Sequence, residues 1–113
     1  MSFPVKQNAE KNLHIIELPE RLTQKNSEEL RAQLKNMVEE SKYRLVLDMM
    51  ATKYIDSTGL SAVVSRIAHL RSNSGDIRLA IQSDFVKELF NITNLNKIIK
   101  IFDSVQEAVA SYV

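Results

Sequence analysis

Residues 44 to 60 read Arg44-Leu45-Val46-Leu47-Asp48-Met49-Met50, then Ala51-Thr52-Lys53-Tyr54-Ile55, then Asp56-Ser57-Thr58-Gly59-Leu60. Leu45-Val46-Leu47 is continuously apolar instead of alternating, the pattern of a strand covered on both faces and so central in a helix-flanked sheet. The last block opens a segment with apolar residues at Leu60, Val63, Val64, Ile67 and Ala68, which is a helical period. Strand, loop and helix start together open a β–α–β unit, and sites on such sheets lie beyond the carboxyl ends of strands. Ser57 is therefore predicted among the unpaired N–H groups of a first helical turn, an environment that suits an anion, including a phosphate carried by Ser57 itself. Gly59, one of two glycines, stands in the same turn although Gly costs roughly 1 kcal/mol relative to Ala in a helix. A bare helix surface, where a partner's backbone can approach closely, is the expected reason.

Downstream, the helix is predicted to end near Asn73-Ser74-Gly75, with Gly75 in the left-handed terminal conformation, before the strand Ile77-Arg78-Leu79-Ala80-Ile81. Ser83-Asp84 caps a short helix with Phe85, Val86, Leu89 and Phe90 inward, followed by a strand over Ile98-Ile99-Lys100-Ile101-Phe102. Ser104 and Glu107 have capping-box spacing, and the last helix should bury Val105, Ala108, Val109 and Tyr112. Upstream, Phe3 and Val5 alternate with polar neighbours around Pro4, which has no N–H for a ladder and places this strand at a sheet edge. Leu13-His14-Ile15-Ile16-Glu17-Leu18 is a second strand, ending at Pro19. Leu30, Leu34, Met37 and Val38 share a helical face behind Asn26-Ser27-Glu28-Glu29, whose Asn and Glu also have capping-box spacing, so the first helix should run from about Ser27 to Ser41. The order β-β-α-β-α-β-α-β-α predicts an α/β fold: one domain over residues 1–113, with a mixed, mostly parallel sheet of four to five strands and about four helices.

A chain of 113 residues, 44% hydrophobic and 26% charged, suits one core that needs neither disulfides nor a structural metal. It has no cysteine, which removes thiol nucleophiles and thiolate zinc sites. Fifteen basic residues against fourteen acidic give a net charge of +1, and they are scattered, which argues against nucleic acid as a partner. No run approaches the ~18 apolar residues of a membrane span, and the first residues lack a signal-peptide core, so a soluble cytoplasmic protein is expected.

Catalytic chemistry is hard to assemble. His14 falls in a strand and His69 off the apolar stripe of its helix, and neither has metal-ligand spacing, so no metal is expected. No G-x-S-x-G elbow makes Ser57 a nucleophile, and no glycine-rich phosphate loop for a nucleotide is present. Asp48 near a strand end invites comparison with a receiver domain, but Arg21 follows the first core strand where such a domain needs an acidic pair. Ser57 as a mere N-cap is the plain alternative, although Asp56 or Thr58 can cap the helix as well.

These residues resemble the STAS domains, specifically the bacterial anti-sigma factor antagonists, in which D-S-[ST]-G-L marks the regulated serine. The resemblance spans nearly the whole chain: Asp56-Ser57-Thr58-Gly59-Leu60, the preceding strand with Asp48, then Val86, Leu89-Phe90, Ile92, Leu95 and Ile98, and Phe102-Asp103-Ser104-Val105-Gln106-Glu107-Ala108. It implies partner switching. The unphosphorylated antagonist binds an anti-sigma factor that is also a serine kinase and so frees a sigma factor; the kinase phosphorylates the antagonist, and a metal-dependent serine phosphatase of the PPM type restores it. On this resemblance Ser57 is the phosphorylated residue, Asp56, Thr58, Gly59 and Leu60 surround it in the partner surface, and the protein is a substrate and binding module with no cofactor, not an enzyme. There are departures. The family's Gly-Glu-Leu-Asp is Glu20-Arg21-Leu22-Thr23 here, so a Thr stands where a carboxylate faces the partner. The glycine often found after the motif is Ser61, and a later Gly-Leu is Asn94-Leu95, where Asn tolerates the left-handed conformation. Two further readings remain: a STAS scaffold subunit of a transporter or signalling complex, and a small nucleotide-binding or phosphoryl-transfer enzyme.

Overall fold

The computed structural model describes residues 2 to 113. Its elements are β1 (Val5–Asn8), β2 (Leu13–Glu17), β3 (Arg21–Leu22), α1 (Ser27–Glu39), β4 (Arg44–Met49), β5 (Tyr54–Ile55), α2 (Ser57–Val64), α3 (Ile67–Ser72), β6 (Asp76–Ile81), α4 (Asp84–Ile92), β7 (Lys100–Phe102) and α5 (Val105–Ala110). The main sheet has the order β1-β2-β4-β6-β7. β1 lies antiparallel on the edge and the other neighbours are parallel, so the order and the mixed sheet expected from the sequence are those observed. Strand β4 is central, and its side chains show why the run is continuous. Leu45 and Leu47 join one core layer with Leu34, Leu60, Val63, Leu70 and Phe90, whereas Val46 faces Leu13, Ala80, Ala108 and Tyr112 on the other side. Helices α1 to α4 thus supply one layer and α5 the other, and both faces of β4 are dry. No helix among the described residues is long and apolar enough to cross a membrane.

Several expected details differ. The Ser57 helix is broken at Ser65-Arg66 into α2 and α3, where the Ser65 hydroxyl donates to the Ala62 carbonyl at 2.7 Å and competes with the backbone ladder. Beyond the break Ala68 is exposed, off the apolar stripe. The left-handed position at the end of α3 is taken by Ser74, with φ of 63°. Gly75 has no positive φ; it is needed because a Cβ there would overlap the Tyr43 carbonyl. Phe85 points out, 52% exposed, while Val86 and Phe90 are buried. β7 is shorter than predicted, since Leu95–Lys97 forms a 3₁₀ turn, and Asn94 before it is left-handed with φ of 61°.

The capping boxes also divide. At Asn26 none forms: its Oδ1 accepts from Thr23 N–H and its Nδ2 donates to the Arg21 carbonyl, both at 2.9 Å, so the side chain serves the preceding turn. At Ser104 the hydroxyl accepts from Glu107 N–H at 3.1 Å, while the Glu107 carboxylate takes Asp103 N–H instead of that of Ser104. Tyr112 lies past the end of α5, buried as expected, and its hydroxyl donates to the Leu45 carbonyl at 2.7 Å.

Candidate functional site

The site begins with two residues on each side that no periodicity announces. Arg21–Leu22 and Tyr54–Ile55 pair as a parallel two-stranded sheet, in the register Arg21 to Tyr54 and Leu22 to Ile55. Thr52, fully buried, donates its hydroxyl to the Pro19 carbonyl at 2.7 Å, and Lys53 N–H donates to the Glu20 carbonyl at 2.8 Å. The chain leaving β4 is thereby zipped to the chain leaving β2 before it turns into α2. Thr52 belongs to the site's support, and a lone Thr in a loop carries no sequence signal of that.

Asp56 is the N-cap of α2, with extended backbone at φ of −103°. Its Oδ1 accepts from Gly59 N–H at 2.9 Å and from the Thr58 hydroxyl at 2.6 Å, and its Oδ2 accepts from Gln24 N–H at 3.0 Å. The carboxylate therefore closes the helix start and ties it to the turn that carries Thr23. The Thr58 hydroxyl, first, and then the Gly59 and Gln24 N–H groups hold the Asp56 carboxyl below its ordinary value. A depressed acid keeps these bonds at neutral pH and loses them as pH falls through its lowered pKa. Gly59 and Gln24 amide NMR shifts are thus expected to titrate together, with a midpoint below that of an unperturbed aspartate. Asp56→Asn should abolish the shared titration, and independent midpoints for the two amides would contradict the bridge.

Ser57 is the first residue of α2 and is exposed. Its hydroxyl makes no hydrogen bond among the described residues, whereas the neighbouring hydroxyls are engaged: Thr58 with Asp56, and Ser61 accepting from Arg31 Nη2 at 2.6 Å. The plain N-cap role thus falls to Asp56 and leaves Ser57 free. Thr23 is half-buried, its N–H held by Asn26 and its hydroxyl accepting from Lys25 N–H at 3.2 Å. The structure brings Thr23, Asp56, Ser57 and Thr58 to one surface, but Gly59 and Leu60 lie beneath it, both buried.

That burial corrects the reading of Gly59 as an opening for a partner's backbone. A Cβ at Gly59 would stand 2.5 Å from the Leu22 carbonyl oxygen and 2.7 Å from Ile55 Cγ1, so the protein's own β3–β5 pair fills the space. Gly59→Ala is expected to cost about 1–3 kcal/mol through this overlap, read as a lower denaturation midpoint at unchanged slope. A stability equal to the parent's would show that β3 and β5 shift freely.

Chemically the arrangement displays a hydroxyl without activating it. No base is bonded to Ser57, and the Asp56 oxygens are spent on the backbone and on Thr58. His14 is buried on β2 with Nδ1 unpartnered, and burial, with Lys42 nearby, lowers its pKa; His69 is exposed on α3. Fold and site together define an α/β domain whose distinguishing group is a serine hydroxyl exposed at a helix start. The sequence matches the STAS domain family over residues 4–108, and the chain belongs to that family. It is 32% identical over 87 residues to a Bordetella bronchiseptica protein, BtrV, named as a candidate anti-sigma factor antagonist, covering 77% of this chain and 75% of that one. Its fold is similar to that of the phosphorylated form of the Bacillus cell fate determinant SpoIIAA, with a TM-score of 0.72 at 18% identity over 96% of this chain and 97% of that one. A sulfate transporter family protein of Wolinella succinogenes shares the fold with a TM-score of 0.78 at 19% identity, over 93% and 86% of the two chains.

Proposed function

We propose that this protein is an anti-sigma factor antagonist that acts as a binding partner and kinase substrate, with Ser57 as its phosphoacceptor. Unmodified, it binds an anti-sigma factor that is also a serine kinase and so frees a sigma factor in the cytoplasm. Phosphorylation of Ser57 switches binding off, and a PPM-type serine phosphatase resets it. The observation that carries this reading is local: of the hydroxyls on Ser57, Thr58 and Ser61, only that of Ser57 is exposed and free of hydrogen bonds. Thr23, Asp56, Ser57 and Thr58 form the contact surface, and Gly59 and Leu60 shape it from below. The similarity to BtrV supports the same role.

Incubating the chain with the kinase that co-purifies with Ser57→Ala, then locating phosphate by mass spectrometry, tests the assignment. Phosphate on Ser57 is expected. Phosphate on Thr58 or Ser61 with Ser57 unmodified would defeat it. The shared fold of the sulfate transporter family protein favours a second reading, a scaffold subunit without a phospho-switch. That reading predicts stable co-purification with a membrane complex and no phosphate in cells.

A further inference from the structure

Beside the Ser57 turn, three side chains from separate elements lie in a stack. The Arg21 guanidinium carbon sits 4.4 Å from the Tyr54 ring centroid, and the Tyr54 ring stacks on Phe85 with centroids 6.1 Å apart and planes 13° from parallel. The stack is open to solvent: Tyr54 is 38% exposed and Phe85 52%, and Arg21 is exposed on β3. Arg21 takes part in none of the ion pairs among the described residues. The Asp56 carboxylate, two residues beyond Tyr54, is occupied by backbone and Thr58. A guanidinium lying on a ring keeps its in-plane N–H groups directed outward, ready for a bidentate carboxylate. Exposed Arg and aromatic side chains of this kind are the residue types that dominate interface energetics.

We propose that the Arg21–Tyr54–Phe85 stack is the specificity contact of the Ser57 surface. It receives from the partner a carboxylate on Arg21 and, next to it, an apolar side chain on the open face of Phe85. The proposal rests on the antagonist reading above and deepens it. It also gives the switch its sign, because a partner that brings a carboxylate to this surface meets a second negative group when Ser57 carries phosphate. β3, β5 and α4 must all be in place for the contact to form, so the contact reports on the folded surface as a whole.

The test uses the full chain and the serine kinase identified by its modification of Ser57, with affinity measured calorimetrically. Arg21→Glu is expected to weaken binding about thirtyfold or more, and Phe85→Ala about tenfold or more, as for central interface residues. Arg21→Gln should flatten the dependence of affinity on salt. Replacing the facing Asp or Glu of the kinase by Arg should restore binding to Arg21→Glu. Melting temperatures of the three variants should stay near the parent's, since all three changes are at exposed side chains. Equal affinity of parent, Arg21→Glu and Phe85→Ala for the kinase would overturn the inference and leave the antagonist reading standing. A parent chain that does not bind the kinase at all would overturn both. Loss of a self-associated form in Phe85→Ala, with kinase affinity unchanged, would assign the stack to contact between copies and also overturn it.

Discussion

Phosphorylation of Ser57 is expected to weaken binding to the anti-sigma partner by more than about a hundredfold, and to move the melting temperature by no more than ~4 °C. The two halves of this result have separate causes. In the free protein Ser57 is exposed, so a phosphate of about −1.5 to −2 charge stays hydrated. The start of α2 returns roughly 0.3–1 kcal/mol of favourable interaction, and the charge of Asp56 beside it works in the opposite direction. The remainder is too small to move the melting temperature of a 113-residue chain by more than a few degrees. In the complex the same dianion would be taken from water while the nearby Arg21 is engaged by the partner's carboxylate, and an unpaired buried charge costs on the order of 3–5 kcal/mol. Each 1.4 kcal/mol is about tenfold in affinity. Ser57→Ala should bind like the unmodified chain and resist phosphorylation, while Ser57→Asp, with one charge and a shorter reach, should lose only part of the affinity. Calorimetric titration of the modified and unmodified chains decides the matter, and equal affinities would exclude local repulsion as the switch.

Gly75→Ala should cause the larger loss of stability. Gly75 lies between α3 and β6, its N–H donating to the Leu70 carbonyl and the next N–H, of Asp76, to the Tyr43 carbonyl, both at 2.9 Å. An added methyl would meet the Tyr43 backbone carbonyl and would stand 2.6 Å from Tyr43 Cβ. Neither group is the tip of a flexible side chain, so relief requires the backbone to part where Arg44 and Asp76 begin the β4–β6 register. Overpacking costs typically 1–3 kcal/mol and more when the backbone must give; a loss above ~3 kcal/mol is expected here, against a total of about 5–15 kcal/mol. Scanning calorimetry should show a fall in melting temperature of more than ~10 °C. A fall below ~4 °C would mean that Tyr43 moves aside without disturbing the central strands.

What was legible in the sequence was what repeats or runs. Leu45-Val46-Leu47 announced a central strand because both of its faces are apolar, and Leu30, Leu34, Met37 and Val38 announced α1 by spacing. The β3–β5 pair was invisible for the converse reason: two residues make no period, and what holds them, Thr52 on the Pro19 carbonyl and Asp56 on Gln24, is long-range. Phe85 reads as core because it is an aromatic next to Val86, whereas in the structure it lies outside against the Tyr54 ring. Both glycines suggest freedom, a left-handed cap at Gly75 and an open helix at Gly59, but at both a distant backbone presses close: Leu22 of β3 at Gly59 and Tyr43, just before β4, at Gly75. Of the site itself, the motif holds the location of Ser57 and the Asp56 acceptor that engages Thr58, but not the Arg31 donor on another helix that engages Ser61 and completes the isolation of Ser57.

That isolation has a consequence for how the motif can be used. In an extended peptide the hydroxyls of Ser57, Thr58 and Ser61 would be near equals, and nothing in the six letters from Asp56 to Ser61 ranks them. They become unequal only once Asp56 has swung onto Gly59 and Gln24 and Arg31 has reached across from α1. How the hydroxyls differ is therefore in part a property of the assembled molecule: Asp-Ser-Thr-Gly-Leu grafted onto another scaffold would carry the Asp56 cap with it and leave Gln24 and Arg31 behind.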